Sequence, residues 1–484
     1  MHQLFRPLLL ITLMIHGLLL PFSTQANSLS TQLPDIGKAG ARVLSPAEEE
    51  QLGREFMRSA RDNLKLLDDL PTITYLQGLA DRLVSSIQGE HPPITVFLVD
   101  DPTINAFAGP GGYIGIHVGL LLSAHTEAEL ASVLAHEIAH VTQRHLVRAF
   151  EADQRMNLPT MGAMIAAIVL GASNPQVGQA VLATTVANSA QQQLTHSRSN
   201  EQEADNIGLD MLVNANYDPN AMVSFFEALQ NKQRLTEFSA PEFLRTHPLT
   251  LGRIADARNR AAQYKIHKPG DNTQFQLIQA RMAALTRAPA SPGHNPTAQQ
   301  YFQALQAAEQ GNFTKARTIL ARLLQTNQHL MLFFYSAAQI ELTDEHPQKA
   351  HDILEQALAL SPGNLLLTEL YTESLLNLQQ AEPAMQLLKT TLRKHPEQFR
   401  LYQPYARAAM RLGEKAEAYR ALAEFQYAQG NLHQAVDYLD QALKTPNLAA
   451  YDRLSLQARQ DALKTEIELQ KPPVPQQQSK LDAR

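Results

Sequence analysis

Two histidines and one glutamate form the pattern in this sequence that points most directly to chemistry. Residues 134–140 read LAHEIAH, which places His136, Glu137 and His140 in the spacing HExxH. On a helix, residues four apart lie on one face, so both imidazoles can reach one ion. The chain has no cysteine, so a metal would have to be held by histidine and carboxylate. The spacing therefore predicts a zinc site with His136 and His140 as ligands.

Glu137 has a different position on the same helix, about 100° round from His136. It could reach a water on the metal without being a ligand itself. Zinc lowers the pKa of such a water, so Glu137 could accept its proton and the hydroxide could attack a peptide carbonyl. HExxH also occurs by chance on amphipathic helices with surface histidines. Here the flanking residues are apolar, which predicts a buried helix and favours the catalytic interpretation: Val133, Leu134, Ile138 and Val141.

A third ligand is expected from a later helix, because positions 143 and 146 are glutamine and leucine and the pattern HExxHxxGxxH is absent. Residues 201–205 read EQEAD near the start of a predicted helix. Glu201 and Asp205 share one face, so Glu201 could bind zinc while Asp205 accepts a hydrogen bond from a ligand histidine and fixes its tautomer. Glu203 lies about 200° round the helix and is predicted to point away.

Four other histidines near these motifs lack ligand spacing and are interpreted as surface residues or as supports for the ligands: His117, His125, His145 and His196. His145 follows His140 by five residues, so on a continuous helix it faces another way. Arg198 precedes the helix of Glu201 and could face the cleft, but the sequence gives this arginine little weight.

Periodicity and turn signals predict the elements that position these residues. Helices are expected over residues 46–87, 126–150 and 199–215. Strands are expected over residues 94–99 and, after a turn, within 109–118. The apolar residues 161–190 are interpreted as buried or surface-lying helices, and whether they cover the cleft or touch a membrane is left open.

A repeat occupies the C-terminal part of the chain. Ala316, Ala350 and Ala384 are spaced by 34 residues, a leucine follows each by four, and the next step gives Ala418. A 34-residue helix-turn-helix period resembles tetratricopeptide repeats. Ala435 follows Ala418 by only 17 residues, so the last repeats are predicted to share a helix or to be irregular. Such arrays present a concave surface, which predicts docking of proteins or peptides rather than chemistry.

The ends of the chain indicate export. Residues 1–26 combine a positive start, an apolar run and small residues before a cleavage site near Ala26, which is the layout of a signal peptide. The apolar run has about 13 residues, fewer than the ~20 that a membrane span needs. A net charge of −6 argues against nucleic-acid binding. The predicted divisions are a signal peptide (1–26), a metallopeptidase domain (27–286), a linker (287–297), a repeat domain (298–470) and a disordered tail (471–484).

HExxH followed about 60 residues later by ExxAD resembles the Ste-type CAAX-protease and HtpX-like family of gluzincin metallopeptidases. The match extends to residues 105–108 (NAFA) and 111–114 (GGYI). The resemblance implies a mainly α chain, with an α+β zincin-like metallopeptidase domain and a small β-sheet followed by the helical repeat array. In that family the second region forms an edge strand to which substrate adds. The residues implied to contact substrate are Asn105, Gly112, Tyr113 and Ile114.

The exported, repeat-bearing members of that family are similar to this chain over nearly its whole predicted mature length. The resemblance implies a periplasmic endopeptidase with one Zn²⁺ per chain that degrades misassembled outer-membrane β-barrel proteins and assists their assembly. Its repeats would dock on the barrel assembly machinery, and the lipopolysaccharide-transporter barrel would be a further partner. Residues 245–248 (RTHP) imply that His247 is a regulatory fourth zinc ligand. Such a ligand would displace the water that catalysis needs.

A second hypothesis is that the chain acts mainly as an assembly chaperone or adaptor with a silent peptidase. His247 and the repeats motivate this hypothesis, and it does not exclude the first. A third, an ordinary secreted nutritional protease, is disfavoured because such enzymes rarely carry repeats and no pro-segment is evident before Pro46.

Overall fold

A computed structural model describes residues 44–87, 91–152, 169, 198–235, 241–264, 270–288 and 295–469. The predicted signal peptide, the predicted tail and the apolar segment 161–190 apart from Val169 lie outside these residues, as does most of the predicted linker. In the part of the chain that is described, no helix is both long and apolar enough to cross a membrane.

The first half of the chain is helical with one small sheet. Its elements in chain order are α1 Pro46–Asn63, α2 Leu70–Val84, β1 Thr95–Val99, β2 Ala106–Ala108, β3 Tyr113–His117, α3 Val118–Ser123, α4 Glu127–Thr142, α5 His145–Ala152, α6 Arg198–Asn214, α7 Asn220–Leu235, α8 Glu242–Thr246, α9 Leu251–Ala261 and α10 Thr273–Leu285. The helical segments predicted at 46–87 and 199–215 are confirmed, the first as two helices. Asp69 begins α2 by accepting a hydrogen bond from the backbone N–H of Thr72.

The sheet has the order β1-β3-β2, with β1 parallel and β2 antiparallel to β3. Tyr113 and Ile114 therefore lie on the central strand, and the prediction that they form an edge strand was wrong. The cause is β2, which pairs outside β3 and is too short to give a periodic signal. Gly112 lies in the turn before β3 with φ 82°, where a Cβ would come within 2.0 Å of the Pro93 carbonyl oxygen. Asn105 directly precedes β2, one of the two outer strands of this sheet.

Helix α4 is buried along most of its length and packs against α2, α6 and α7. Apolar side chains such as Leu130, Leu134 and Ile138 are fully or almost fully buried. Gly208 of α6 faces the α4 backbone, and a Cβ there would lie 3.2 Å from the backbone nitrogen of His136. The glycine thus permits the close approach of the two helices that carry the predicted ligands.

The helix predicted over residues 126–150 is broken into two. Helix α4 ends at Thr142, Arg144 has a left-handed φ of 52°, and α5 begins at His145. A guanidinium nitrogen of Arg144 lies 2.8 Å from a carboxylate oxygen of Glu49 on α1. This ion pair helps to hold a backbone conformation that non-glycine residues seldom adopt. The regular helix consequently ends just after the HExxH segment.

The C-terminal part is an array of helices: α11 Pro296–Glu309, α12 Phe313–Thr326, α13 Met331–Thr343, α14 Pro347–Leu360, α15 Leu365–Asn377, α16 Ala381–Lys394, α17 Tyr402–Arg411, α18 Lys415–Ala428, α19 Leu432–Leu443 and α20 Ala450–Leu469. The repeat alanines Ala316, Ala350, Ala384 and Ala418 are fully buried between helices. Ala418 lies on α18 and Ala435 on the next helix, α19, and both are fully buried. The 17-residue step therefore falls between consecutive helices, whereas the earlier repeat alanines lie on every second helix.

The array touches the peptidase half at both of its ends. Near the start, Arg281 of α10 pairs with Asp69 at 2.6 Å and reaches the Ser336 hydroxyl at 3.3 Å. Near the other end, guanidinium groups of Arg58 and Arg61 on α1 donate to the carbonyl oxygens of Gly430 and Gln429 at 3.1 and 2.9 Å. These carbonyls follow the C-terminus of α18, where the helix dipole favours positive charge.

Replacing the buried arginine at the first contact should destabilise the protein. The side chains of Arg281 and Asp69 are 1% and 7% exposed, so Arg281→Met leaves a buried carboxylate without its partner. Breaking such a pair costs about 3–5 kcal/mol. We expect a clearly lower thermal unfolding midpoint for Arg281→Met. The double variant Arg281→Met/Asp69→Asn, which retains a helix-capping side chain, should recover most of the loss. Equal midpoints for the wild type and Arg281→Met would contradict this assignment.

Candidate metal centre

Four metal-binding side chains meet in one buried cluster. His136 and His140 come from α4, Glu201 from α6, and His247 from the residue directly after α8. One potential ligand atom from each residue lies within 4.8 Å of the others. All four residues are at least 96% buried. The cluster therefore joins three separate parts of the chain.

The distances within this cluster suit a small tetrahedral ion. The Nε2 atoms of His136 and His140 are 3.1 Å apart. The Glu201 carboxylate oxygens lie 3.5 Å from His136 Nε2 and 3.4 Å from His140 Nε2. Ligands bound at about 2.0–2.1 Å in a tetrahedron are about 3.3–3.4 Å apart. Two imidazoles and a carboxylate are also ligands that zinc accepts in catalytic sites, so the residues fit this metal.

Asp205 and Arg253 support the cluster from outside. Asp205 Oδ1 lies 2.9 Å from Nδ1 of His136, the ring nitrogen that faces away from the other ligands. Arg253 of α9 donates two hydrogen bonds of 2.7 Å to the Asp205 carboxylate, and another of its nitrogens lies 2.9 Å from Glu201. Sequence reasoning missed Arg253, because an arginine on a later helix has no spacing signal that links it to the metal ligands. Arg198 is exposed at the start of α6.

The carboxylates make the cluster favourable for positive charge. Burial lowers the pKa of His136, but hydrogen bonds to Asp205 and Glu201 outweigh this effect and raise the pKa to about 9. Burial raises the pKa of Glu201, but the neighbouring His247 and His136 together have a larger, opposite effect. The pKa of Glu201 therefore lies well below its usual range. The cluster thus strongly favours a bound cation, which a proton or a metal ion can supply.

Glu137 is buried beside the cluster, and its carboxylate forms no hydrogen bond with the cluster residues. Its side chain is 1% exposed, and neither carboxylate oxygen has a hydrogen-bond partner among the described residues. The ring of His247 lies beside it, with Nε2 3.4 Å from Glu137 Oε1. An unsatisfied buried carboxylate is costly and is therefore a candidate for function.

His247 is placed between the ligands and Glu137. Its Nδ1 lies 3.3 Å from His136 Nε2 and 3.1 Å from Glu201 Oε1. Its ring stacks on Phe243 with a centroid separation of 4.7 Å, and its backbone N–H donates to the Phe243 carbonyl. The Phe243 N–H in turn donates to the carbonyl of Ile104 at 3.0 Å. The segment that carries His247 is thus fastened beside the start of β2.

The sequence predicts that His145 faces away from the cluster. In the structure it lies directly beside His140 instead. Its Nδ1 lies 2.8 Å from Nδ1 of His140, and its Nε2 lies 3.2 Å from the carboxylate of Glu203. The prediction was wrong because it assumed a continuous helix, whereas the turn at Arg144 brings His145 back. Burial lowers the pKa of His145. Glu203 itself lies outside the ligand cluster, and its side chain is 36% exposed.

The remaining predicted residues are spread around the cluster. The His125 side chain is 75% exposed, whereas His117 is fully buried and lies 2.9 Å from the Thr103 hydroxyl through Nδ1. His196 lies outside the described residues. Asn105 is buried, and its side-chain oxygen has no hydrogen-bond partner in the described part of the chain. Ile114 belongs to the core.

Two family models match this chain. The model of peptidase family M48 matches residues 72–261, and a tetratricopeptide-repeat model matches residues 341–408. The first match contains the whole ligand cluster and also Asp205 and Arg253. The second lies within the helical array. These matches confirm the metallopeptidase and repeat interpretations and the mainly α fold class with a small β-sheet.

Relatives cover almost the whole chain. A Vibrio cholerae protein, named for the β-barrel assembly-enhancing proteases, is 35% identical over 90% of this chain and 93% of its own length. The beta-barrel assembly-enhancing protease of Escherichia coli strain K12 is 33% identical over 92% of this chain and 94% of its own. The metalloendopeptidase OMA1 of Bos taurus mitochondria is 30% identical over 44% of this chain and 41% of its own. The chain is therefore a metallopeptidase of the β-barrel assembly-enhancing protease family.

Proposed function

We propose that the chain is a zinc-dependent endopeptidase in which His136, His140 and Glu201 hold the metal. The observation that carries the proposal is their meeting in one buried cluster beside the unsatisfied carboxylate of Glu137. Bound zinc would supply a Lewis acid for a water and a peptide carbonyl. Glu137 would accept the proton of the attacking water and pass it to the leaving amine. Asp205, held by Arg253, would keep the Nδ1 proton of His136 in place.

The proposed substrates are unfolded or misassembled outer-membrane β-barrel proteins in the periplasm. The names of the relatives and the signal-like residues 1–26 support this choice. The tetratricopeptide array would dock the chain on the barrel assembly machinery, where it would also assist assembly, including that of the lipopolysaccharide-transporter barrel. The contacts of the array with α1 and α10 would keep such partners close to the peptidase domain.

His247 would hold the enzyme latent as a fourth ligand. Its Nδ1 lies among the other ligand atoms, where it would take the coordination position that a water needs. Its Nε2 lies 3.4 Å from Glu137, so the same ring would also block the access of water to the general base. Release of the segment after α8 would open both positions together.

Substrate would add to the free edge of β2. The bonds from Gly109 N–H to the Tyr113 carbonyl and from His117 N–H to the Asn105 carbonyl show which backbone groups face β3. Because an antiparallel ladder alternates, the backbone groups of Ala106 and Ala108 face the other way. No strand in the described part of the chain pairs with that side. The edge lies beside α4 and beside the segment of His247, so an added peptide would approach the cluster.

A proline at the edge should weaken substrate binding without unfolding the sheet. Ala108→Pro removes one outward N–H, and edge strands tolerate proline. A lost hydrogen bond of about 1.4 kcal/mol lowers cleavage of an unfolded outer-membrane barrel about tenfold. The matched control Ala108→Val keeps the N–H and should cleave at the wild-type rate, and both variants should keep zinc and the wild-type unfolding midpoint. Equal cleavage by the two variants would remove β2 from the substrate site.

A second candidate function is that of an assembly chaperone or adaptor whose peptidase is usually silent. The placement of His247 against both the ligands and Glu137 favours this function. It predicts that cells carrying Glu137→Gln still assemble outer-membrane barrels at the wild-type rate. Assembly defects as severe as those of a deletion strain would count against it.

Metal removal tests the proposed zinc enzyme. The purified mature chain should contain one zinc per chain, and its cleavage of an unfolded outer-membrane barrel should stop after chelation and return with added zinc. Because His247 is proposed to slow the wild type, the assay should include His247→Ala. Cleavage that persists after complete zinc removal would refute the proposal.

A further inference from the structure

We propose that His145 and Glu203 form a relay that fixes the tautomer and ring orientation of His140. This inference rests on the proposed zinc site, because it concerns how one of its ligands is held. His145 would touch neither substrate nor metal, so it is a positioning residue. From the sequence, His145 is interpreted as a surface residue or a support for the ligands, and Glu203 is predicted to point away.

The geometry places three side chains in series. His140 Nε2 faces the cluster, and its opposite nitrogen, Nδ1, lies 2.8 Å from Nδ1 of His145. The far nitrogen of His145, Nε2, lies 3.2 Å from Glu203 Oε2. Arg148 on α5 binds the same Glu203 oxygen at 2.7 Å. His145 is completely buried, so water does not compete for its ring nitrogens.

Only one arrangement of protons satisfies this series when His140 binds a metal through Nε2. Its Nδ1 then carries the proton and needs an acceptor, which Nδ1 of His145 can supply only when that atom is unprotonated. Neutral His145 must then carry its proton on Nε2, where Glu203 accepts it. Glu203 thus selects the tautomer of His145, and His145 selects the tautomer of His140.

With the relay, both histidines of α4 have a carboxylate behind Nδ1. For one of them the contact is direct, and for the other it passes through a second ring. His136 has Asp205 directly at Nδ1, with an Oδ1 separation of 2.9 Å. His140 has the ring of His145 at its Nδ1, and the carboxylate of Glu203 lies at the far side of that ring. Helix α6 would therefore supply three carboxylates to one site: Glu201 as ligand, Asp205 as a direct partner and Glu203 through the second ring. Partners of this kind raise metal affinity about 10- to 100-fold.

The break after α4 allows His145 to contact His140. On an uninterrupted helix, residues five apart point about 140° away from one another. The left-handed turn at Arg144 interrupts the helix, and its ion pair with Glu49 fastens the turn to α1. The ring of His145 consequently packs edge-on against His140, with centroids 4.7 Å apart.

Zinc affinity of the full mature chain, measured by chelator competition, tests the relay. His145→Leu fills similar space without an acceptor and should weaken zinc binding about 10- to 100-fold. His145→Asn places an amide oxygen near the site of Nδ1 and should restore most of the affinity. Glu203→Leu should weaken binding less, because its side chain is partly exposed. The matched control Glu227→Gln changes a glutamate that pairs with Arg258 on the surface and should bind zinc like the wild type.

A double variant separates a relay from independent effects. Once His145 is leucine, Glu203→Leu should cause no further loss of zinc affinity. Additive losses, or wild-type affinity in His145→Leu, would overturn the relay while stoichiometric zinc in the wild type still supported the proposed enzyme. Nitrogen-15 spectra of the zinc-bound, histidine-labelled chain provide a test without substitutions. They should show His140 protonated at Nδ1 and His145 at Nε2, and a proton on Nδ1 of His145 would overturn the relay.

Discussion

Glu137→Gln is expected to abolish peptide hydrolysis while the protein keeps its zinc. The amide cannot accept the proton of the attacking water, and general-base catalysis contributes about 10²- to 10⁴-fold. The proposed ligands His136, His140 and Glu201 are untouched, so one zinc per chain should remain. The variant should also be more stable, because it removes a buried charge that lacks a hydrogen-bond partner in the described part of the chain. Cleavage rate, zinc content and unfolding midpoint check these three results.

Glu129→Gln is the matched control for this change. Glu129 is a buried glutamate of the same helix, but its carboxylate accepts from the backbone of His125 and from the hydroxyl of Ser224 rather than facing the cluster. The control should lose some stability and retain its cleavage rate. If Glu137→Gln cleaved as fast as the control, Glu137 would not be the general base.

His247→Ala is expected to raise the cleavage rate. The substitution removes the ring that lies among the ligand atoms and 3.4 Å from Glu137, so a water could enter and the base would be released. If the closed arrangement is favoured by about 1.4–2.8 kcal/mol, the rate rises about 10- to 100-fold. Zinc should stay bound, because three ligands remain. Initial rates on an unfolded outer-membrane barrel measure this effect.

His125→Ala is the control for a lost histidine near the motifs. The His125 side chain is 75% exposed and lies outside the ligand cluster, so the cleavage rate of the variant should match that of the wild type. An unchanged or lower rate in His247→Ala, with zinc still bound, would show that His247 does not restrain the enzyme.

The parts of the site that sequence reasoning predicted depend on local spacing. His136 and His140 meet because four residues make about one helical turn, and the same rule places Glu201 and Asp205 on one face of α6. The repeat alanines were predictable for a similar reason, since a small residue is needed wherever paired helices touch. Each of these features repeats a periodicity that is visible along the chain.

The parts that escaped prediction depend on contacts between distant segments or on a break in regular structure. Arg253 reaches Asp205 across 48 positions of the sequence, and no spacing links the two. His145 was misplaced because a left-handed arginine, unlike a glycine, gives no sign that a helix ends. The edge strand was misassigned because β2 has only three residues and pairs outside β3.

Anomalous diffraction at the zinc absorption edge, from crystals of the purified mature chain, tests directly whether the proposed residues bind zinc. We expect one strong peak per chain, bonded to Nε2 of His136, Nε2 of His140, the Glu201 carboxylate and, in the latent state, Nδ1 of His247. A zinc-loaded chain with its peak elsewhere, or with Glu137 or Glu203 in place of Glu201, would contradict the assignment of the ligands and of the general base.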